Sequence, residues 1–183
     1  MLRSPMQLAW LATAFLLFPA IPSRATVTDV ASNGFTLNIA VHINASPDKV
    51  YAALITPAKW WSSEHTFSGD AKNLHADTKA GGCWCETLPH GGSALHLSIV
   101  YVDPGKALRL RGALGPFQGL GADGALTWKL EPAEDGTLLH LTYSLGGYNK
   151  DGFVELSKAA DGVLTVQVSR LKSLIENGSL LSR

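Results

Sequence analysis

The chain has 183 residues, 46% of them hydrophobic and 16% charged, with 15 basic residues balancing 15 acidic ones. That apolar content excludes an intrinsically disordered chain, and the length suits one domain with a sizeable core. Net charge zero and the absence of any Lys/Arg run argue against a nucleic-acid surface or an anionic-membrane patch, both of which need clustered positive charge.

Residues 1–25 read as a leader. Arg3 gives a basic start, Leu8 to Phe18 form an eleven-residue apolar run interrupted only by Thr13, and Pro19 and Pro22 lead into Ser23-Arg24-Ala25. Small residues at Ser23 and Ala25 suit signal peptidase. About 20 apolar residues are needed to span a bilayer, and this run is roughly half that, so stable membrane insertion after cleavage is not expected. Removing Arg3 and Arg24 leaves 13 basic against 15 acidic residues, a nearly neutral mature chain in the periplasm or outside the cell.

Beyond a polar lead-in, Leu37, Ile39, Val41 and Ile43 alternate with polar or small residues and predict a half-buried strand. Ser46-Pro47-Asp48 predicts the start of a short helix running through Leu54. Thr56-Pro57 repeats the signal before Trp60-Trp61. Residues 64–80 read as irregular, with Phe67 as their apolar anchor. Cys83–Leu88 can be a strand, Pro89-His90-Gly91-Gly92 a turn, and Ser93–Val102 a strand with Leu95, Leu97, Ile99 and Tyr101 on one face. Ala107–Ala113 and Ala125–Leu130 alternate again, joined by a glycine-rich connection from Gly112 to Gly124 that reads as mobile. Glu134-Asp135-Gly136 predicts a hairpin into Thr137–Leu145. The period then changes: Leu164, Val168, Leu171 and Ile175 mark an amphipathic helix stopped at Asn177-Gly178, and its apolar stripe needs the face of the sheet to cover it. No repeat or linker divides residues 26–183, so one α+β domain is expected.

Cys83 and Cys85 stand at i and i+2 on the expected strand, so both side chains share a face. Three readings stay open. A straight strand puts their Cα atoms roughly 6.6 Å apart, near the upper limit for a disulfide, and a bulge would shorten that. Alternatively they are buried thiols or form a crosslink to another chain, or they are soft-metal ligands completed by histidine, a reading that no second Cys pair or His-x3-His spacing supports.

The order of strand, two short helices, about six to seven antiparallel strands and a long final helix resembles the helix-grip fold of the START-related, or SRPBCC, superfamily. The residues that carry the likeness are Val41-His42-Ile43-Asn44-Ala45-Ser46-Pro47-Asp48-Lys49-Val50-Tyr51-Ala52-Ala53-Leu54 with Thr56-Pro57-Ala58-Lys59-Trp60-Trp61, then Gly81-Gly82, Val102-Asp103-Pro104, Thr127-Trp128-Lys129-Leu130-Glu131-Pro132, Asp135-Gly136-Thr137 and Val163-Leu164 through Arg170-Leu171-Lys172. They are similar to the branch containing polyketide cyclase-like proteins and homologues of a chaperone-ATPase activator. The resemblance implies a curved sheet wrapped around the final helix, with a cavity between them for a small hydrophobic or aromatic molecule. It places Trp60, Trp61, Phe67, Trp84, Phe117, Trp128, Tyr143 and Phe153 as candidate ligand-binding residues, aromatic area suiting a flat ligand, and Gly112 to Gly124, containing Leu114-Gly115-Pro116-Phe117, as a candidate gate.

The chain contains no nucleophile elbow, phosphate loop, Rossmann glycine motif or zinc-protease helix, so no cofactor is expected. His42, His96 and His140 fall opposite the main aliphatic stripe, toward solvent or a hydrogen-bonding partner. His65 and His75 lie near acids, including Asp77, and are candidates for proton transfer; Cys83 and Cys85 are the metal candidates. Arg109 and Arg111 suit a ligand carboxylate or an exposed strand face. The leading expectation is an exported, non-enzymatic carrier of a small hydrophobic molecule. The alternatives are a polyketide cyclase/dehydratase-like enzyme using a pocket His and carboxylate, and a protein-interaction module of the chaperone-activator kind whose partner the sequence does not name.

Overall fold

The computed structural model describes residues 24–180, so nearly all of the expected leader lies outside it. Eight strands form one antiparallel sheet: β1 (Arg24–Ala31), β2 (Gly34–Ile43), β3 (Leu74–Ala76), β4 (Cys83–Thr87), β5 (Ser93–Asp103), β6 (Ala107–Arg111), β7 (Gly121–Ala133) and β8 (Gly136–Tyr148). Their spatial order is β1-β2-β8-β7-β6-β5-β4-β3, which leaves β1 and β3 as the edges. Helix α1 (Pro47–Leu54) follows β2, and helix α2 (Val154–Asn177) closes the chain over the sheet. The α+β helix-grip expectation holds. Among the described residues no helix is long and apolar enough to cross a membrane.

Period-two alternation builds the inner face. Leu37, Ile39, Val41 and Ile43 of β2 are buried, as are Leu108 and Leu110 of β6, Leu126, Trp128 and Leu130 of β7, and Leu139, Leu141, Tyr143 and Leu145 of β8. Against them α2 lays Ala160, Leu164, Val168 and Leu171. Each large member of that stripe contributes roughly 1.5–3 kcal/mol by leaving water. α1 buries Val50, Tyr51 and Leu54, with Pro47 and Asp48 in its first turn; the Ser46 side chain makes no capping bond. Gly178 ends α2 in the left-handed region at φ 68°, its N–H donating to the Leu174 carbonyl, a conformation cheap only for glycine.

Three expectations are corrected, and the final helix gains a start. The sheet has two more strands than the alternation marked: β1, whose outward side chains read as a polar lead-in, and the three-residue β3, too short for a pattern. α2 begins at Val154, ten residues before Leu164, because its first turns continue the stripe with the small residues Ser157 and Ala160. Phe67 is 50% exposed, and the loop is anchored by buried Ala71 and Leu74 instead. On β5, Leu95 and Tyr101 are exposed while His96 and Leu97 are both buried.

Two bulges explain that last reversal. Trp84 pairs with Leu97 but Cys85 pairs with Leu95, so His96 is the extra residue on β5; likewise Ile99 faces Leu110 and Tyr101 faces Arg109, so Val100 is extra. Each extra residue flips the side-chain phase, and the first turns His96 inward rather than toward solvent.

Candidate functional site

The site follows from how α2 is held. Its second half is pinned by polar bonds to the elements beneath it: the Ser62 N–H donates to Gln167 (2.8 Å), Arg170 Nε donates to the Trp60 carbonyl (2.8 Å), Lys172 donates to the His42 carbonyl, and the Asn44 N–H donates to Glu176 (2.8 Å). Its first half has no such ties to the strands beneath it among the described residues. Between that half, the loop carrying residues 64–67, the connection at Leu114–Phe117, and strands β3, β4, β5 and β8 lies a cavity of about 370 Å³. A volume in this range suits a small organic molecule. Trp61, Phe67, Trp84, Phe117 and Tyr143 supply aromatic wall, and Leu74, Leu114, Leu156, Val163 and Leu164 aliphatic wall. The polar lining is Glu64, His65, Thr66, His96 and the Tyr143 hydroxyl.

Five of the eight aromatic candidates therefore border this cavity. Trp60, Trp128 and Phe153 do not; they are 0%, 1% and 0% exposed and fill the core. Trp60 is the hub of that core, with ring centroids 5.4 Å from Trp61, 5.9 Å from Trp84 and 6.2 Å from Trp128. Its indole N–H donates to the Ala53 and Leu54 carbonyls, tying the second helical turn to α1. Phe117 sits edge-on to Phe35 at 6.1 Å, so one side of the Gly112–Gly124 connection is packed on the core; that connection contains a 3-10 turn at Gly115–Gly119 and the start of β7.

The proton-transfer candidates separate. His65 lines the cavity, and its Nδ1 accepts from the Gln167 side-chain amide at 2.9 Å. His75 stands on the outer face of β3 opposite Cys85, and exposed Asp77 pairs with Lys79 at 3.0 Å; neither borders the cavity. Cys83 and Cys85 form a disulfide whose Cα atoms are 5.5 Å apart, closer than a straight strand allows, at the register shift opposite His96. The His75 imidazole lies with both sulfurs inside a 4.8 Å cluster. Oxidised sulfurs are not thiolates, the form that ligates a metal. Arg109 bonds Thr127 and lies 5.7 Å above the Tyr101 ring, while Arg111 pairs with Asp123, all on the outer face.

Two buried polar groups, the cavity-lining His96 and the Glu86 that holds it, were not selected from the sequence. Glu86, 0% exposed, accepts hydrogen bonds from the Phe67 N–H (3.0 Å), the Ser68 N–H and His96 Nε2 (2.9 Å). Burial alone would raise its carboxyl, but the hydrogen bonds from Ser68, Phe67 and His96 outweigh that and hold it below the ordinary range. The legible signal was spacing: Trp84 and Glu86 are i and i+2 on one strand, so an inward Trp84 carries Glu86 inward with it. His96 had no such signal, because its direction depends on the bulge. Tyr143 is the third polar group. Desolvation pushes its phenol up to about 12, so it stays protonated, and its oxygen accepts the Leu114 N–H at 3.0 Å.

A family model described as polyketide cyclase / dehydrase and lipid transport matches residues 34–176, the stretch that builds β2 through α2. No curated protein matches the chain. Among solved structures, an uncharacterised protein from Rhizobium leguminosarum is similar at 16% identity and a TM-score of 0.60, covering 82% of this chain and 99% of its own. CalU16 from Micromonospora echinospora is similar at 19% identity and a TM-score of 0.52, covering 86% of this chain and 84% of its own. The Aha1 dimer from Colwellia psychrerythraea is similar at 18% identity and a TM-score of 0.53, covering 78% and 97%. At these identities the likeness is one of fold.

Proposed function

This chain belongs to the polyketide cyclase / dehydrase and lipid transport family, and from that premise we propose that it is an exported carrier that holds a small hydrophobic or aromatic molecule in the cavity under the first half of α2. One observation carries the reading: about 370 Å³ of space walled by Trp61, Phe67, Trp84, Phe117, Tyr143 and aliphatic side chains. A well-packed core has few voids much larger than a water, and this space gains most when an apolar molecule leaves water to fill it. Export rests on the leader composition of residues 1–25 and cleavage after Ala25, which would leave Thr26–Ala31 as the edge strand β1.

The test is native mass spectrometry of protein taken from its own host compartment, followed by a denaturing spectrum. A retained hydrophobic compound in the first spectrum, and a polypeptide beginning at Thr26 in the second, are the expected results. Val163→Trp, which fills the cavity from a half-buried position on α2, should abolish retention without unfolding the domain. An empty wild-type protein, or unchanged retention by that variant, refutes the carrier reading at this site. An uncleaved leader refutes export.

A second reading is favoured by Glu86, His96 and Tyr143 together. An ionised acid holding an imidazole that lines the cavity, with a protonated phenol on the same lining, is a set able to move protons on a bound ligand. Turnover of a supplied polyketide-like substrate that disappears in His96→Phe would support an enzyme; turnover that survives it removes this set as the catalyst.

A further inference from the structure

We propose that His96 Nδ1, held in place by Glu86, is the polar anchor of the cavity, and that the ligand is a flat apolar molecule presenting a single acidic hydroxyl, of phenol or enol type, to that nitrogen. The proposal rests on the cavity being a small-molecule site and deepens that reading.

Glu86 is where the reasoning begins. Its carboxylate accepts three hydrogen bonds and has no hydrogen of its own to give, so His96 Nε2, at 2.9 Å, carries the proton and donates. In the neutral ring this leaves a lone pair on Nδ1. That Nδ1 is buried and has no partner, on a residue 5% exposed that lines the cavity. Folded proteins rarely keep such an atom unsatisfied, and each case calls for an explanation. The ring is not free to turn it elsewhere. Phe67 stacks on it at 5.3 Å with an interplanar angle of 27°, and Glu86 fixes its other nitrogen.

Complementarity then selects the ligand. Of the cavity wall, Phe67, stacked on His96, and Leu74 and Leu114 carry no side-chain donor, and the Trp84 indole N–H makes no bond to Nδ1. A ligand hydroxyl supplies one. An anionic ligand group would face the nearby Glu86 carboxylate in a site of low dielectric, so a neutral donor is preferred over a carboxylate. The carboxylate behind the imidazole strengthens Nδ1 as an acceptor, and the gain grows with the acidity of the donor. Glu86 acts through His96 and is a positioning residue.

Calorimetric titration with 2-naphthol and 2-methoxynaphthalene, which share a ring system and differ in the donor hydrogen, tests this. Wild-type protein should bind the naphthol about tenfold more tightly, the ratio that roughly 1.4 kcal/mol gives. His96→Phe should bind both equally, close to the wild-type affinity for the methoxy compound. If wild type binds neither, the carrier reading fails and this proposal falls with it. If wild type binds both equally, or the preference survives His96→Phe, the anchor is wrong while the carrier reading stands. A second measurement needs no variant. Long-range nitrogen-15 NMR of the wild-type histidines should show His96 protonated on Nε2, with a bare Nδ1 whose resonance moves with 2-naphthol and not with its methyl ether. A proton on Nδ1, or no movement with naphthol, overturns the proposal. Glu86→Gln should shift the tautomer balance and shrink the naphthol preference, a readout that a merely structural role for Glu86 would not move.

Discussion

Gln167→Leu removes one buried amide of nearly the same size as its replacement and cuts one link between α2 and the loop that forms one side of the cavity. Gln167 is 0% exposed; its carbonyl accepts the Ser62 N–H at 2.8 Å, and its amide N–H donates to His65 Nδ1 at 2.9 Å. Ser62 is 4% exposed, so its orphaned N–H bears the full desolvation cost of ~1–3 kcal/mol. His65 is half-buried and can turn to water, so its lost bond adds little. The net expectation is about 2 kcal/mol. With a urea slope of about 2 kcal/mol per molar for a domain of this size, the midpoint should fall by about 1 M with the slope unchanged. Hydrogen exchange at the Ser62 amide should accelerate roughly thirtyfold, the ratio that about 2 kcal/mol gives, since the bond that protects it is gone, while exchange in β7 and β8 should change only with global stability. Ser169→Ala, which removes only a local bond back to the Thr165 carbonyl on the same helix, should stay within ±0.5 kcal/mol and serves as the control. A Gln167→Leu midpoint within about 0.3 M of wild type would refute the claim that this amide couples helix and loop.

Acid should destabilise the protein through Glu86. Its carboxyl is lower in the fold than its ordinary value of 4.5, so the unfolded chain binds the proton more readily. The contribution is fully present above about pH 4.5 and is lost as pH falls through the folded value. Asp161, raised by burial, acts with the opposite sign. Urea midpoints from pH 6 to pH 3 should therefore fall less steeply in Glu86→Gln than in wild type, and parallel curves would count against the assignment. Replacing Cys83 and Cys85 together by Ala opens a loop with a sequence separation of only 2, for which chain entropy gives about 1.5 kcal/mol. A loss above about 4 kcal/mol would mean the bridge does more than close that loop. Trp60→Ala should cost ~3–5 kcal/mol because the indole is wholly buried, whereas Phe67→Ala, half exposed at the cavity wall, should cost under about 1 kcal/mol. Thermal unfolding that ranks the two in reverse would make Phe67 the anchor of its loop after all.

How much of this was legible differs from element to element. The alternation of Leu37, Ile39, Val41 and Ile43 is a period-two signal that only a half-buried strand explains, and β2 carries it unbroken. Leu164, Val168 and Leu171 declare α2 in the same way, and Pro47 with Asp48 declares where α1 begins. Five cavity aromatics could be named because large flat side chains are few, but their separation from Trp60, Trp128 and Phe153 could not, since core and cavity wall look alike along the chain.

Local chemistry is what a sequence writes directly: apolar period, proline and glycine at element ends, and hence the α+β class and the helix that must cover the sheet. The direction of His96 belongs to a different level. It depends on one extra residue in β5 against β4, a choice made by two strands together and invisible in either alone. The same pairing sets Cys85 close to Cys83, and places Glu86 where the Phe67 and Ser68 amides reach it from a loop 18 or 19 residues away. Side-chain phase reverses with a single-residue slip, so the polar corner of the cavity exists only once tertiary pairing has decided the register.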